Sequence, residues 1–237
     1  MNAVQKIIKT ILLILVINFN HECLASTTFN SAFKDQSSGI VASIKKHLVE
    51  FVHESVATLR YSVYKLGGTR FDPDRGIYIV DCSGYVDYAL KTIHPYSYSN
   101  LVKLSKSEKP NSLHYYDFFT GLSSENEYWN KVEEIEELQP GDILVFRYKN
   151  KRGRVTGGHV MVVMNKPIRV RDTYHVNVAD SAASGHSEDT RLSNDSGIGI
   201  GTLLLKVNPK TGHPAAFAWK VGTRWKKNVN FAMARPV

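Results

Sequence analysis

The chain has 237 residues, 43% of them hydrophobic and 22% charged, with a formal charge of +8. These are the proportions of one soluble globular domain that buries its core without disulfide or metal staples. The positive surplus favours anionic surroundings, but the basic residues are scattered through 45–46, 149–154, 169–171 and 224–227. Most of them read as solvated surface, and no nucleic-acid partner is expected.

Lys6 and Lys9 precede an unbroken apolar run from Ile11 to Ile17, and Cys23-Leu24-Ala25 ends the segment in small residues. This pattern predicts a cleaved signal peptide over 1–25 and an exported protein, periplasmic or secreted. A membrane span would need roughly 20 apolar residues, and Asn18, Asn20, His21 and Glu22 interrupt the run too early. Cleavage removes Cys23, leaving Cys82 as the only cysteine and no internal disulfide. It also removes two lysines and one glutamate, which lowers the charge to +7. For an exported chain the anionic surroundings are cell-envelope polymers.

Residues 26–38 are rich in Ser, Thr and Asn and read as a flexible lead-in to a single domain over 39–237. From Ile40 to Leu66 the spacing of Val41, Ile44, Leu48, Phe51, Val52, Val56 and Leu59 predicts a long amphipathic helix, stopped by Gly67-Gly68. A turn is expected over Thr69–Gly76 and a short extended segment over Ile77–Val80. Helical spacing resumes after Cys82, through Tyr85, Val86, Ala89, Leu90 and Ile93, and Pro95 closes it. Residues 94–137 read as an insertion or cap with some helix. Strands are then expected at Ile143–Tyr148, in "GGHVMVVMN", in "TYHVNVADSA", and in "GTLLLKVN", "AAFAWKVG" and "NFAMARPV". "GIGIGT", 197–202, reads as a turn, since it lacks the third glycine of a dinucleotide loop and precedes a strand. Helices first and antiparallel strands afterwards define an α+β class.

The chemistry centres on "IVDCSGYVDYAL", 79–90. Asp81 is a good N-cap residue, so the sulfur of Cys82 falls in the first turn of a helix, where unpaired amides and the helix dipole favour the thiolate. Ser83-Gly84 are small, which allows substrate to approach and backbone amides to face a developing oxyanion. A nucleophilic thiolate needs a histidine base held by a third group. His159 opens the strand after Gly157-Gly158 and shares a face with Met161 and Val163, as Asp180 does with Tyr174, Val176 and Val178. A hairpin centred between Arg169 and Val170 would pair Asn165 with Tyr174, Val163 with Val176, and His159 with Asp180. Cβ atoms so paired lie roughly 5 Å apart, which makes Cys82, His159 and Asp180 nucleophile, base and orienting acid.

"DCSGYVDYAL", "LQPGDILVF" and "GGHVMVV", in that order behind a signal sequence, resemble the signature segments of the NlpC-type cysteine peptidases. These are papain-like enzymes that cut stem peptides of bacterial cell walls. The resemblance covers roughly 55–237, with "YKLGG" before the nucleophile and "FAMARPV" like the family's last strand. It implies a papain-like NlpC-type fold, N-terminal helices packed on an antiparallel sheet, and no cofactor. Position by position it implies Cys82 as nucleophile, His159 as base and Asp180 where the family has a polar third residue, more often histidine. Tyr64 matches a tyrosine near the sulfur, and Tyr64, Asp81 and Ser83 form the expected substrate or oxyanion set. The chain departs from the pattern at Leu66, where an aromatic is usual, and at Met161, where a glycine is usual. Both changes are expected to border the substrate groove.

The expected activity is amide hydrolysis in peptidoglycan stem peptides through an acyl-enzyme, by a monomer. Other acceptors are an alternative, since papain-like folds include amidases, acyltransferases and lipid-directed hydrolases. For the last, Tyr115, Tyr116, Phe118 and Phe119 would line a lipid groove, although such a cluster is more often core. A silent wall-binding or host-directed protein is a second alternative. Metal chemistry through His175, Asp180 and His186 lacks any ligand spacing to support it.

Overall fold

The computed structural model describes residues 48–150, 152–192 and 195–237. The expected signal peptide, the lead-in and the start of the first helix lie outside the described residues. The described chain opens on α1, residues 48–57, which buries Leu48 and Val52 a turn apart. The expected helix to Leu66 is overturned beyond this point. Arg60 and Tyr61 both donate backbone N–H groups to the carbonyl of Gly76, and Tyr61–Tyr64 forms strand β1. β1 runs parallel to β3, Ile77–Val80, so pairing and the β-favouring Tyr-Ser-Val-Tyr sequence override the helical spacing.

The expected turn at 69–76 is half strand. β2, Thr69–Asp72, pairs antiparallel with β3, and only Pro73–Arg75 turns, closed by Gly76 at φ 64°. These three strands form a small sheet in the order β1-β3-β2. The chain before β2 crosses β3 so closely that a Cβ on Gly68 would lie 2.5 Å from the Ile79 carbonyl oxygen. Only glycine fits there.

Three helices follow. α2, Cys82–Ile93, buries Cys82, Tyr85, Val86, Ala89 and Leu90 along one stripe. Pro95 does close α2, but it also opens α3, Pro95–Ser105, at a position where a missing N–H costs nothing. α4, Ser112–Thr120, is capped by Asn111, whose side chain accepts from the amides of Leu113 and His114. With β4, Trp129–Val132, these elements make up most of 94–137. Three rings of the aromatic cluster lie inside, as core, the more frequent role of such a cluster, and Tyr116 packs partly buried against them. Tyr115 and Phe119 are fully buried, Phe118 is 8% exposed, and Phe118 and Phe119 pack on Trp129 at 5.8 and 5.2 Å. Trp129 Nε1 donates to the Ser97 carbonyl at 2.8 Å.

The large sheet comprises β4 with β5 (Ile143–Lys149), β6 (Val155–Val163), β7 (Ile168–Val170), β8 (Thr173–Ala182), β9 (Gly197–Val207), β10 (Pro214–Ala218) and β11 (Val229–Pro236). Its order is β10-β9-β8-β6-β5-β11-β4, with β7 attached to β8. All of its pairings are antiparallel. Alternation divides its side chains between two cores. Ile143, Val145, Val160, Val162 and Ala179 share a core with α2 and α4. Leu144, Phe146, Met161, Val163, Val176 and Val178 fill the other. Phe146 of β5 stacks at 4.3 Å on Phe217 of β10, several strands away, so the sheet curls around this second core.

Two expectations fail within this sheet. "GIGIGT" is not a turn but the first half of β9, paired residue for residue with β8 from Ala182↔Gly197 onward. The β6–β8 register is also displaced by two residues: Val163 faces Val178 and Val162 faces Ala179. Lys166-Pro167 interrupts pairing, and the tight turn falls later, at Arg171-Asp172, with Arg171 at φ 57°. A displacement by an even number keeps every side chain on its face.

Trp129→Ala would empty the space between α4 and β4 and remove the indole's bond to the Ser97 carbonyl, so we expect a loss of about 3–5 kcal/mol. Urea denaturation measures it, and a loss under 1 kcal/mol would contradict the packing described.

Candidate active site

The site is assembled from the end of β3, the first turn of α2, the start of β6, the end of β8 and the loop after it. Asp81 fixes the first of these junctions. One carboxylate oxygen accepts the Gly84 amide at 2.8 Å and the Ser83 hydroxyl at 2.9 Å, and the other accepts the Gly67 amide at 2.8 Å. The N-cap thus also ties the Gly67-Gly68 loop to α2. Cys82 is the first residue of the helix, 6% exposed, with its sulfur at the positive end of the helix dipole.

Ser181 beside Asp180 donates its hydroxyl to the Val80 carbonyl at 2.8 Å, pinning β8 to the end of β3. His159 comes from β6 and is 7% exposed. Its Nε2 lies 2.6 Å from Oδ2 of Asp180, and the Cys82 thiol is within hydrogen-bonding reach of the ring. Since Nε2 is taken by the carboxylate, Nδ1 is the nitrogen left for the sulfur. His159 meets Asp180 on the diagonal and not directly opposite, a reach the observed register still allows because both remain on one face.

The electrostatics follow from burial and three charges. Burial would lower the pKa of His159, but the Cys82 sulfur and the Asp180 carboxylate outweigh it and push the value up to about 10. Burial would raise Asp180, and the two imidazoles of His186 and His159 hold it well below the usual carboxylate range. The pKa of Tyr64 is raised by burial first, and then by the neighbouring Cys82, Asp81 and Asp180.

Sequence reasoning missed two residues. His186 Nε2 also lies on Oδ2 of Asp180, at 2.8 Å, and Arg191 donates to Oδ1 at 3.0 Å. The signal available was the polar stretch "SGHSEDTR" directly behind β8, but nothing in it fixes where the loop folds. Trp219, in the loop after β10, stands edge-on to His159 at 5.3 Å and lies tilted over His186 at 5.2 Å.

Other expected roles are redistributed. The Gly84 amide is spent on Asp81 and is not free for an oxyanion, which leaves the backbone amides of Cys82 and Ser83 in the first turn. Asp81 and the Ser83 hydroxyl bond each other, so both act through the cap. Leu66 is exposed and lines a cleft of about 500 Å³ beside Ser83 and Gly84, together with Phe71, Tyr88 and Tyr98. Asp87 lies in its wall, its pKa pushed up to about 8 by burial despite a 2.7 Å hydrogen bond from Tyr115. Met161 does not border a groove. It is fully buried in the second core, two residues along the face that carries His159. His175 is paired with Leu204 on β9 and takes no part in the cluster, and among the described residues no group of three His, Cys, Asp or Glu is arranged to hold a metal ion.

Among the described residues no helix is long and apolar enough to cross a membrane. The chain is similar to the uncharacterized protein R653 of Acanthamoeba polyphaga mimivirus, 27% identical over 165 residues, which cover 62% of this chain and 70% of that protein. No family model matches the chain, and no solved structure matches it.

Proposed function

We propose that the chain is an exported cysteine hydrolase of the papain-like, NlpC type, which cleaves amide bonds in peptidoglycan stem peptides through an acyl-enzyme. The observation that carries this reading is the placement of His159 between the Cys82 sulfur at the tip of α2 and the buried carboxylate of Asp180. The thiolate attacks the amide carbonyl, and His159 gives its proton to the leaving amine as the C–N bond breaks. His159 then takes a proton from water, which attacks the thioester and releases the acid and the thiolate. Asp180 keeps the imidazole in the tautomer with hydrogen on Nε2 and stabilises its charged form. The amides of Cys82 and Ser83 face the oxyanion.

The N-terminal pattern of 1–25 supports export, and a charge of +7 after its removal suits anionic wall polymers. The stem-peptide substrate rests on the resemblance of the three segments.

Incubating purified sacculi or a synthetic stem peptide with the protein should release two peptide products identifiable by mass spectrometry. Cys82→Ala and His159→Ala should both reduce release to background, and full retention in Cys82→Ala would remove the mechanism. A transferred group in place of two peptides would reassign the site to acyl transfer.

The charge arrangement makes a second prediction. His159 is raised on folding, so its contribution to stability is complete below about pH 6.5 and is lost as pH rises through about 10. Asp180 is depressed, so its contribution is present above about pH 4 and is lost as pH falls through its lowered value. Stability should therefore peak between about pH 4 and 6.5 as far as this pair governs it. In Asp180→Asn the His159 titration, followed by NMR of the ring protons, should fall clearly below about 10, with the part of the rise due to Cys82 retained. A value still near 10 in that variant would contradict the role given to Asp180.

A further inference from the structure

We infer that His186 is a positioning residue of the site: by sharing Oδ2 of Asp180 with His159, it sets both the orientation of that carboxylate and how strongly it draws the His159 proton. The inference rests on the thiol-hydrolase reading for its consequence in catalysis, but the geometry is independent of substrate.

Asp180 has no exposed surface, and its two oxygens are divided between partners of different kinds. Arg191 holds Oδ1, and the same guanidinium donates to both oxygens of Asp189 and to the Gly197 carbonyl, each at 2.8 Å. Arg191 brings a cation to the buried carboxylate but shares it with Asp189. His186 adds a different contact, on the oxygen that His159 uses. Because an ionised carboxylate only accepts, the His186 nitrogen on Oδ2 carries its hydrogen, and that bond competes with the His159 N–H for the same electron density. His186 Nδ1 is buried and finds no hydrogen-bond partner among the described residues, so the carboxylate is the only polar group that orients the ring. The titratable or charged groups around the shared oxygen are Cys82 and Tyr85 of α2, Tyr64 of β1, His159 of β6, and Asp189 and Arg191 of the loop.

The alternating glycines of β9 are shaped for this loop. A Cβ on Gly199 would lie 2.6 Å from Arg191 Nε, and one on Gly201 would lie 2.6 Å from Asp189 Oδ2 and 2.9 Å from the His186 Cβ. Backbone bonds between Ser187 and Thr202, and from Thr190 to Ile200, lay the loop along this glycine face. His186 is thereby carried to Asp180 by a surface that has no side chains at the places the loop needs.

The test uses the full chain, labelled with 15N in histidine, and needs no substrate. Two nitrogen-bound imidazole protons should resonate at low field, one from each histidine on Asp180. His186→Phe, which keeps a ring against Trp219, should remove one and move the His159 proton further downfield. His186→Gln, whose amide reaches as far as Nε2, should restore the His159 proton to its original position, and His186→Asn, which is too short, should not. On stem peptide, kcat should fall about tenfold in the Phe and Asn variants with KM unchanged, the loss of roughly one hydrogen bond to a charged group. A single low-field proton in the unmodified protein, or a His159 proton that does not move in His186→Phe, would overturn the inference. If His186→Phe does not fold, Gln and Asn variants giving the same His159 position would overturn it equally. The two-proton spectrum without any cleavage of sacculi would sink the proposed function and leave this inference standing.

Discussion

The arrangement depends on one buried carboxylate that cannot be left alone. A charge with no exposed surface costs several kcal/mol unless its lone pairs are matched by donors. Asp180 meets that condition with two imidazoles and a guanidinium drawn from β6 and from the loop after β8. Those donors hold the loop against β9, and the ring of His159 is thereby aligned with a sulfur that belongs to a different layer of the fold. Removing the carboxylate would loosen the loop and the imidazole together.

A second carboxylate does the complementary task with neutral donors. Asp81 accepts from two backbone amides and a hydroxyl, so it fixes the tip of α2 without bringing a cation near the sulfur. The division makes physical sense, because a cation at Asp81 would compete with His159 for the Cys82 sulfur. Asp81 also joins the small sheet to α2 through Gly67, and Ser181 joins the same point to β8. The sulfur is thus located by three elements that meet at the end of β3.

Much of this was legible in the residues, and the failures have identifiable causes. The helix behind Asp81 announces itself by a cap and an apolar stripe, both local features, and β8 falls at the span its alternation gives, Thr173–Ala182. The face shared by His159 and Asp180 was legible because alternation has a period of two, which is also why a register wrong by two residues left the pair together. β1 was hidden because its parallel partner lies beyond a turn, and helical spacing in 40–59 runs on into it. The glycines of β9 misled for the opposite reason. Glycine signals a turn when judged locally, whereas here it makes room for a neighbour that only the fold brings near. His186 and Arg191 carried no pattern of their own, since a polar loop can settle anywhere until a buried charge gives it a place.

The position of the cluster follows from the two-core plan of the sheet. Along β8 the residues Val176 and Val178 face the second core, and Asp180 continues their series on the same face. A carboxylate at that position is at core depth by its register yet at the rim by its place near the strand's end, so only a covering loop can exclude water from it. The loop with His186 and Arg191 provides the cover, and Trp219 closes the side that polar donors leave open. Exclusion of water strengthens each charge interaction inside, which is how His159 retains its proton against a burial that would otherwise remove it. The apolar core beneath and the polar loop above are therefore two halves of one electrostatic device. Fully buried Met161, two residues along from His159 on the same face, belongs to that apolar core.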